Sequence, residues 1–152
     1  LEFRRVLFRS AAGVKVTLNG IDTNYGPGDV INTINIFGFG NDDQITINRV
    51  FESTALTIDG GTGNDTLVSP LTANNWVITG PNSGTLNGDA FSNIQNLVGS
   101  GLIDNFRFGP AGFVSGNVDG ASGVNTIDYS GRTTGVVVDL GEGVTFIVER
   151  GA

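Results

Sequence analysis

A nine-residue spacing recurs along this chain and restricts its fold more than any other feature of the sequence. An apolar residue is followed by Gly two positions later, by Asp or Asn at seven, and by a second apolar residue at nine. The four copies run from Ile36 to Ile45, from Ile58 to Leu67, from Leu97 to Phe106 and from Val118 to Ile127. Because the copies share all these features, the spacing indicates an internal repeat.

The flanks of each copy are short and rich in β-forming residues, so each copy predicts a turn between two strands. A unit of about 20 residues cannot enclose a core by itself, whereas stacked units bury one continuous apolar stripe. The sequence therefore predicts an all-β chain that forms a parallel β-helix, or solenoid, with about 20 residues per coil and no helices of note. A β-sandwich is the alternative, since its turns also recur at short intervals.

The solenoid prediction places the glycines of the four copies together. Tight corners between stacked strands favour Gly, which adopts positive φ at little cost. We expect Gly38, Gly60, Gly99 and Gly120 to line a single edge of the fold. A degenerate copy near Ile78, with Gly80, Gly84 and Leu86, is expected to fill the gap between the second and third copies.

Composition excludes several classes of function. The net charge is −7 and there is no basic patch after the first ten residues, so the chain has no cluster of basic side chains that could bind the phosphates of a nucleic acid. Cys, Met and His are absent, which rules out disulfides and thiolate metal sites. No run of 18 apolar residues occurs, so the sequence predicts no membrane-spanning segment.

The first ten residues, LEFRRVLFRS, form the only basic cluster and do not fit a signal peptide, because Arg9 interrupts a short apolar part and no initiator Met precedes it. RRVLFRS is also the translation of a nucleotide string that resembles the end of a common sequencing adaptor. We therefore expect residues 1–10 to be a non-native scar and residues 11–152 to be one β-solenoid segment, a fragment of a longer protein.

One copy carries a more specific motif. Residues 60–68, GGTGNDTLV, match the nonapeptide G-G-x-G-x-D-x-U-x and resemble one repeat of the RTX, or hemolysin-type calcium-binding, family. In that family calcium lies between the loops of successive coils, which both supply oxygens. The resemblance implies a calcium site formed by the loops at 38–43 and 60–65, with the candidate ligands Asp42, Asp43, Asp59, Gly61, Gly63 and Asp65. The alternative is that these residues simply form the corners.

The wider chain, over about residues 14–140, resembles the β-strand-repeat regions of large bacterial surface adhesins. The stretches NNWVITGPNSGTLNGDAFSNIQNL and NTIDYSGRTTGVVVDL carry that resemblance. It implies a structural or adhesive segment of a large secreted or cell-surface protein, whose partners are neighbouring repeats of the same chain and an unidentified surface or extracellular ligand.

Catalysis is not predicted. Without His there is no Ser/His/Asp set, and the basic residues Lys15, Arg49, Arg107 and Arg132 are scattered along the chain. A polysaccharide-modifying β-helix enzyme is kept as a remote alternative. We expect Trp76 to pack in the core and Phe39, which lies between two glycines, to be exposed.

Overall fold

The computed structural model describes residues 14–18, 21–25, 33–48, 55–133 and 146–150, and the expected scar at 1–10 lies outside them. Within these ranges the chain forms strands and turns and no helix. In chain order the strands are β1 (Val14–Leu18), β2 (Ile21–Tyr25), β3 (Thr33–Phe37), β4 (Gln44–Thr46), β5 (Ala55–Asp59), β6 (Thr66–Val68), β7 (Asn74–Gly80), β8 (Ser83–Leu86), β9 (Asp89–Ser92), β10 (Asn96–Val98), β11 (Asp104–Phe108), β12 (Val118–Asp119), β13 (Asn125–Tyr129) and β14 (Phe146–Arg150). The prediction of an all-β chain is confirmed.

The strands form three sheets. The short sheet has the order β12-β10-β6-β4, and the long sheet has the order β14-β13-β11-β7-β8-β9-β5-β3. β1 and β2 form a separate antiparallel pair. Four times the chain passes from a long-sheet strand to a short-sheet strand, in the pairs β3–β4, β5–β6, β9–β10 and β11–β12.

The short sheet is parallel throughout and keeps strict register. Ile45, Leu67, Leu97 and Val118 occupy equivalent positions on its four strands. The first three of these are buried and Val118 packs against them. Since side chains alternate between the faces of a strand, one residue from each strand supplies a continuous apolar row.

The long sheet supplies the facing rows and is parallel except around β8. Ile58 lies in register with Phe91, and Trp76 lies in register with Phe106, which in turn pairs with Ile127. All five side chains belong to one buried cluster with the short-sheet row. The prediction that Trp76 packs in the core is confirmed, since its side chain is fully buried.

The segment around Ile78 differs from the expected degenerate copy. β7 and β8 form an antiparallel hairpin that joins Ile78 to Gly84, and β9 turns back again beside β8. Gly84 is needed because a Cβ there would overlap the backbone carbonyl of Val77 across the hairpin. This three-stranded meander places β8 and β9 between β7 and β5 in the long sheet, so the third pass is longer than its neighbours.

Candidate functional site

The loops predicted to hold a cation lie side by side at one corner of the fold. This acidic corner comprises residues 38–43, 60–65 and 93–95, which connect long-sheet strands to short-sheet strands in three successive passes. The amide of Gly38 donates to the carbonyl of Asp59 over 2.7 Å, and the amide of Thr62 donates to the carbonyl of Phe39 over 2.9 Å. The predicted adjacency of the loops at 38–43 and 60–65 is confirmed. The loop that follows them is 93–95, and not the turn near residues 80–85.

The spacing between Gly and the acid has a local cause at this corner. A Cβ on Gly38 would lie 2.9 Å from a carboxylate oxygen of Asp43, and a Cβ on Gly60 would lie 2.8 Å from one of Asp65. The acid five residues after the glycine therefore folds back over the glycine's Cα. Any larger residue at the glycine would displace this carboxylate.

The same acids link one pass to the next. A carboxylate oxygen of Asp65 accepts a hydrogen bond from the amide of Asp43 over 2.8 Å. The side-chain oxygen of Gln95 accepts one from the amide of Asp65 over 2.7 Å. Asp43, Asp65 and Gln95 thus form a ladder in which the side chains of Asp65 and Gln95 each bind the backbone of the preceding pass.

Asp65 is the most constrained acid of the ladder. It is 0% exposed, and its Oδ2, like that of Asp43, is buried with no hydrogen-bond partner in the described part of the chain. Desolvation by burial raises the pKa of Asp65 above its ordinary value of 3.8, and the charges of Asp43, Asp42 and Asp59 add to the rise. The hydrogen bond from the amide of Asp43 opposes it. Ionisation of Asp65 is thus costly here unless a cation compensates the charge.

The other predicted ligands are engaged with the backbone. Asp42 accepts from the amide of Asn64 over 2.8 Å, and Asp59 accepts from the amide of Gly61 over 3.0 Å. Gly61 has φ of +88° and packs against the backbone of Phe39, and Gly63 has φ of +148°. In the residues that the structure describes, no group of three or more acidic side chains is arranged to hold a metal ion.

The remaining two copies of the template form a second corner. This amide corner comprises residues 69–74, 99–104 and 120–125, which connect short-sheet strands back to long-sheet strands. The expectation that all four glycines share a single edge is therefore wrong. Gly38 and Gly60 lie at the acidic corner, whereas Gly99 and Gly120 lie at the amide corner. The local geometry is the same, because a Cβ on either Gly99 or Gly120 would lie 2.5 Å from the side chain five residues later.

At the amide corner, amide groups donate hydrogen bonds to the buried carboxylate of Asp104. Asn74 donates from Nδ2 to Oδ1 of the buried Asp104 over 2.6 Å, and the amide of Ser100 donates to Oδ2 over 2.6 Å. The amide of Asp104 in turn donates to Oδ1 of Asn125 over 3.0 Å. With both of its oxygens satisfied, Asp104 has no need of a cation.

The basic side chains form no constellation in the described residues. Arg107 is exposed and lies 3.7 Å from a carboxylate oxygen of Asp128, while Phe106 and Phe108 on either side are buried. Arg132 donates from Nη2 to the carbonyl of Gly112 and lies over the ring of Tyr129. Both contacts connect neighbouring parts of the fold. Arg49 lies outside the described residues, and of Lys15 only the strand position is described.

Comparison of the sequence with protein-family models and with curated proteins, and of the structure with solved structures, finds no match. Among the described residues no helix is long and apolar enough to cross a membrane.

Proposed function

We propose that this chain is a parallel β-solenoid segment with a structural or adhesive role in a large secreted or cell-surface bacterial protein. The observation that supports this most strongly is the repetition of the pass. The loops of successive passes stack on one another at each corner, and their apolar residues lie in register on neighbouring strands. Each pass is bound to its neighbours by backbone hydrogen bonds and by the side-chain ladders of the two corners. Such a fold grows by adding passes, and its partners along the axis are further repeats of the same chain.

The ladders favour a structural role for the corner acids. The position of Asp65 is filled by Gln95 in the next pass, and the equivalent position in the last turn of the amide corner is filled by Asn125. An amide thus performs the same task as the carboxylate, which is to bind the backbone of a neighbouring pass. Cation binding would need the charge, but corner formation does not.

An RTX-like calcium module is the second candidate, and one observation favours it. The buried Oδ2 atoms of Asp43 and Asp65 lack hydrogen-bond donors, and Asp42 and Asp59 raise the negative potential around them. Calcium prefers six to eight oxygen ligands, so backbone carbonyls of both loops would have to complete the site.

Two substitutions of Asp65 separate the candidates. Asp65→Asn keeps the acceptor for the amide of Asp43 and removes the buried charge, so the structural role predicts equal or higher stability at pH 7. Since the raised pKa means that the folded state holds the proton more tightly than the unfolded state, wild-type stability falls as pH rises from 3.8 through the folded-state pKa, and the Asn variant loses that dependence. Asp65→Ala leaves the Asp43 amide unpaired and is expected to cost about 1–3 kcal/mol.

The measurement is thermal unfolding with and without excess chelator. The structural role predicts the same melting temperature in both conditions for the wild type and for Asp65→Asn. A wild-type melting temperature that rises on adding calcium, and a loss of that rise in Asp65→Asn, would establish the calcium module instead.

A further inference from the structure

An exposed pair of aromatic rings stands at the acidic corner. Phe37 is 37% exposed and Phe39 is 50% exposed, although Phe is usually buried. Their ring centroids are 6.0 Å apart and the planes are tilted by 42°. The rings thus form a small angled surface open to solvent, and the expectation that Phe39 is exposed is confirmed.

The backbone conformation of Phe39 is unfavourable for a residue with a large side chain. Its φ of +69° lies in the left-handed region, which is unfavourable for a bulky residue. The adjacent loop places Gly61 against Phe39, with φ of +88°. Gly at position 39 would therefore fit the corner at lower cost.

A carboxylate stands beside this surface. Asp59 lies in register with Phe37 on the neighbouring strand and so on the same face. Its Oδ1 is held by the amide of Gly61 over 3.0 Å and by Nδ2 of Asn93 over 2.8 Å. Gly61 also packs against the backbone of Phe39, so Phe39 lies beside the turn that Asp59 stabilises.

The negative charge near Phe37 and Phe39 favours a cationic partner. Besides the buried Asp65, three acids lie at or beside this corner, which are Asp42, Asp43 and Asp59, and the charges of all three act on Asp65. The negative potential of such a surface attracts cations over a distance of about 8–10 Å at ordinary ionic strength. At short range a cation gains from the face of an aromatic ring and from a carboxylate beside it.

We propose that Phe37, Phe39 and Asp59 form a binding site for a basic side chain, Lys or Arg, presented by a segment of another protein. The ammonium or guanidinium group would lie over the rings and pair with the free side of Asp59. The site depends only on this local arrangement, so its test is independent of the proposed structural role.

The test uses hexalysine as the probe and titrates it into the full chain by calorimetry. Phe39→Gly is the decisive variant, because it removes a ring and relieves the backbone, so the protein stays folded. We expect binding about three- to tenfold weaker in Phe39→Gly and in Asp59→Asn. Phe113→Ala is the matched control, since Phe113 is 46% exposed and its backbone forms a bridge with Pro81. It should bind hexalysine as the wild type does.

Two further measurements sharpen the result. Tetramethylammonium should compete with hexalysine in the wild type and have little effect in Phe39→Gly. Hexalysine binding that is equal in Phe39→Gly and the wild type would reveal attraction to the acidic surface in general and overturn the site. Absence of hexalysine binding, or binding of a neutral oligosaccharide such as cellohexaose at Phe39 in its place, would overturn it as well.

Discussion

Gly60→Ala is expected to lower the free energy of unfolding by about 3 kcal/mol, although it adds a single methyl group. A Cβ at this position would overlap the backbone carbonyl of Asn93 and lie 2.8 Å from a carboxylate oxygen of Asp65. The first contact is with the next pass and the second is with the buried ladder, so neither can move without disturbing the stack. Urea unfolding followed by circular dichroism measures the loss.

Gly131→Ala provides the control for Gly60→Ala. A Cβ on Gly131 would lie 3.5 Å from the carbonyl of Phe108, which is ordinary van der Waals contact. The stability of this variant should stay within about 0.5 kcal/mol of the wild type, because it is an exposed turn position without special geometry. Equal losses in Gly60→Ala and Gly131→Ala would contradict the close packing of the acidic corner.

Trp76→Ala is expected to cost about 3–5 kcal/mol, the range found when a large aromatic side chain is removed from a core. The indole is fully buried, stacks on Phe106 at 5.5 Å between centroids, and meets the edge of Phe91 at 5.9 Å. It therefore packs the first strand of the meander against the last one and joins the meander to β11. Equilibrium denaturation detected by circular dichroism measures the effect, because Trp76 is the only Trp in the chain and its fluorescence is lost with it.

Trp76→Phe is a milder substitution whose effect can be measured even if Trp76→Ala does not fold. Phe retains the stack on Phe106 and deletes Nε1, which is buried without a hydrogen-bond partner in the described structure. Its cost should accordingly be less than half that of Trp76→Ala. A negligible loss in both variants would mean that Trp76 does not lie at the centre of the core.

The corner template could be predicted from the sequence because its cause is local. In each copy the Asp or Asn lies over the glycine five residues earlier, and both residues belong to one turn. The apolar residues at the two ends of the template lie in strands and point into the core, so the strands and several core residues could also be predicted. The core position of Trp76 was also expected from the sequence and is confirmed.

The assignment of the four corners to two edges could not be predicted. The template describes one turn and does not record which sheet the chain is leaving. Only the strand pairing distinguishes Gly60, which follows a long-sheet strand, from Gly99, which follows a short-sheet strand. That pairing joins residues as far apart in the sequence as Thr57 and Ala90, which the spacing alone does not specify.

The meander carried a signal that the repeat analysis overlooked. Asn87-Gly88 stands between two β-forming runs and is a strong predictor of a two-residue hairpin. Both residues have positive φ, at +54° and +96°, as such a turn requires. The degenerate copy expected near Ile78 rested on Gly80 and Gly84, whereas Asn87-Gly88 indicates the hairpin that the structure has.

The candidate site was predicted in part. The two loops with acids were expected to be adjacent, and they are. Gln95 was missed as the third member of the ladder, because the search was for acids and the loop at 93–95 is too short to carry the template. The signal that would have found it is chemical: an amide oxygen accepts the same backbone hydrogen bond as a carboxylate.

Cross-linking tests the stacking of successive passes most directly. The chain has no native Cys, so the pair Val68→Cys and Val98→Cys can be introduced alone. These positions are in register on β6 and β10, within the range of a disulfide, although the whole meander separates them in sequence. The pair Val68→Cys and Thr79→Cys is closer in sequence, but its members lie on different sheets. We predict rapid oxidation to a disulfide in the first pair and none in the second. Oxidation of the second pair in preference to the first would contradict the parallel stacking on which the fold and its proposed role depend.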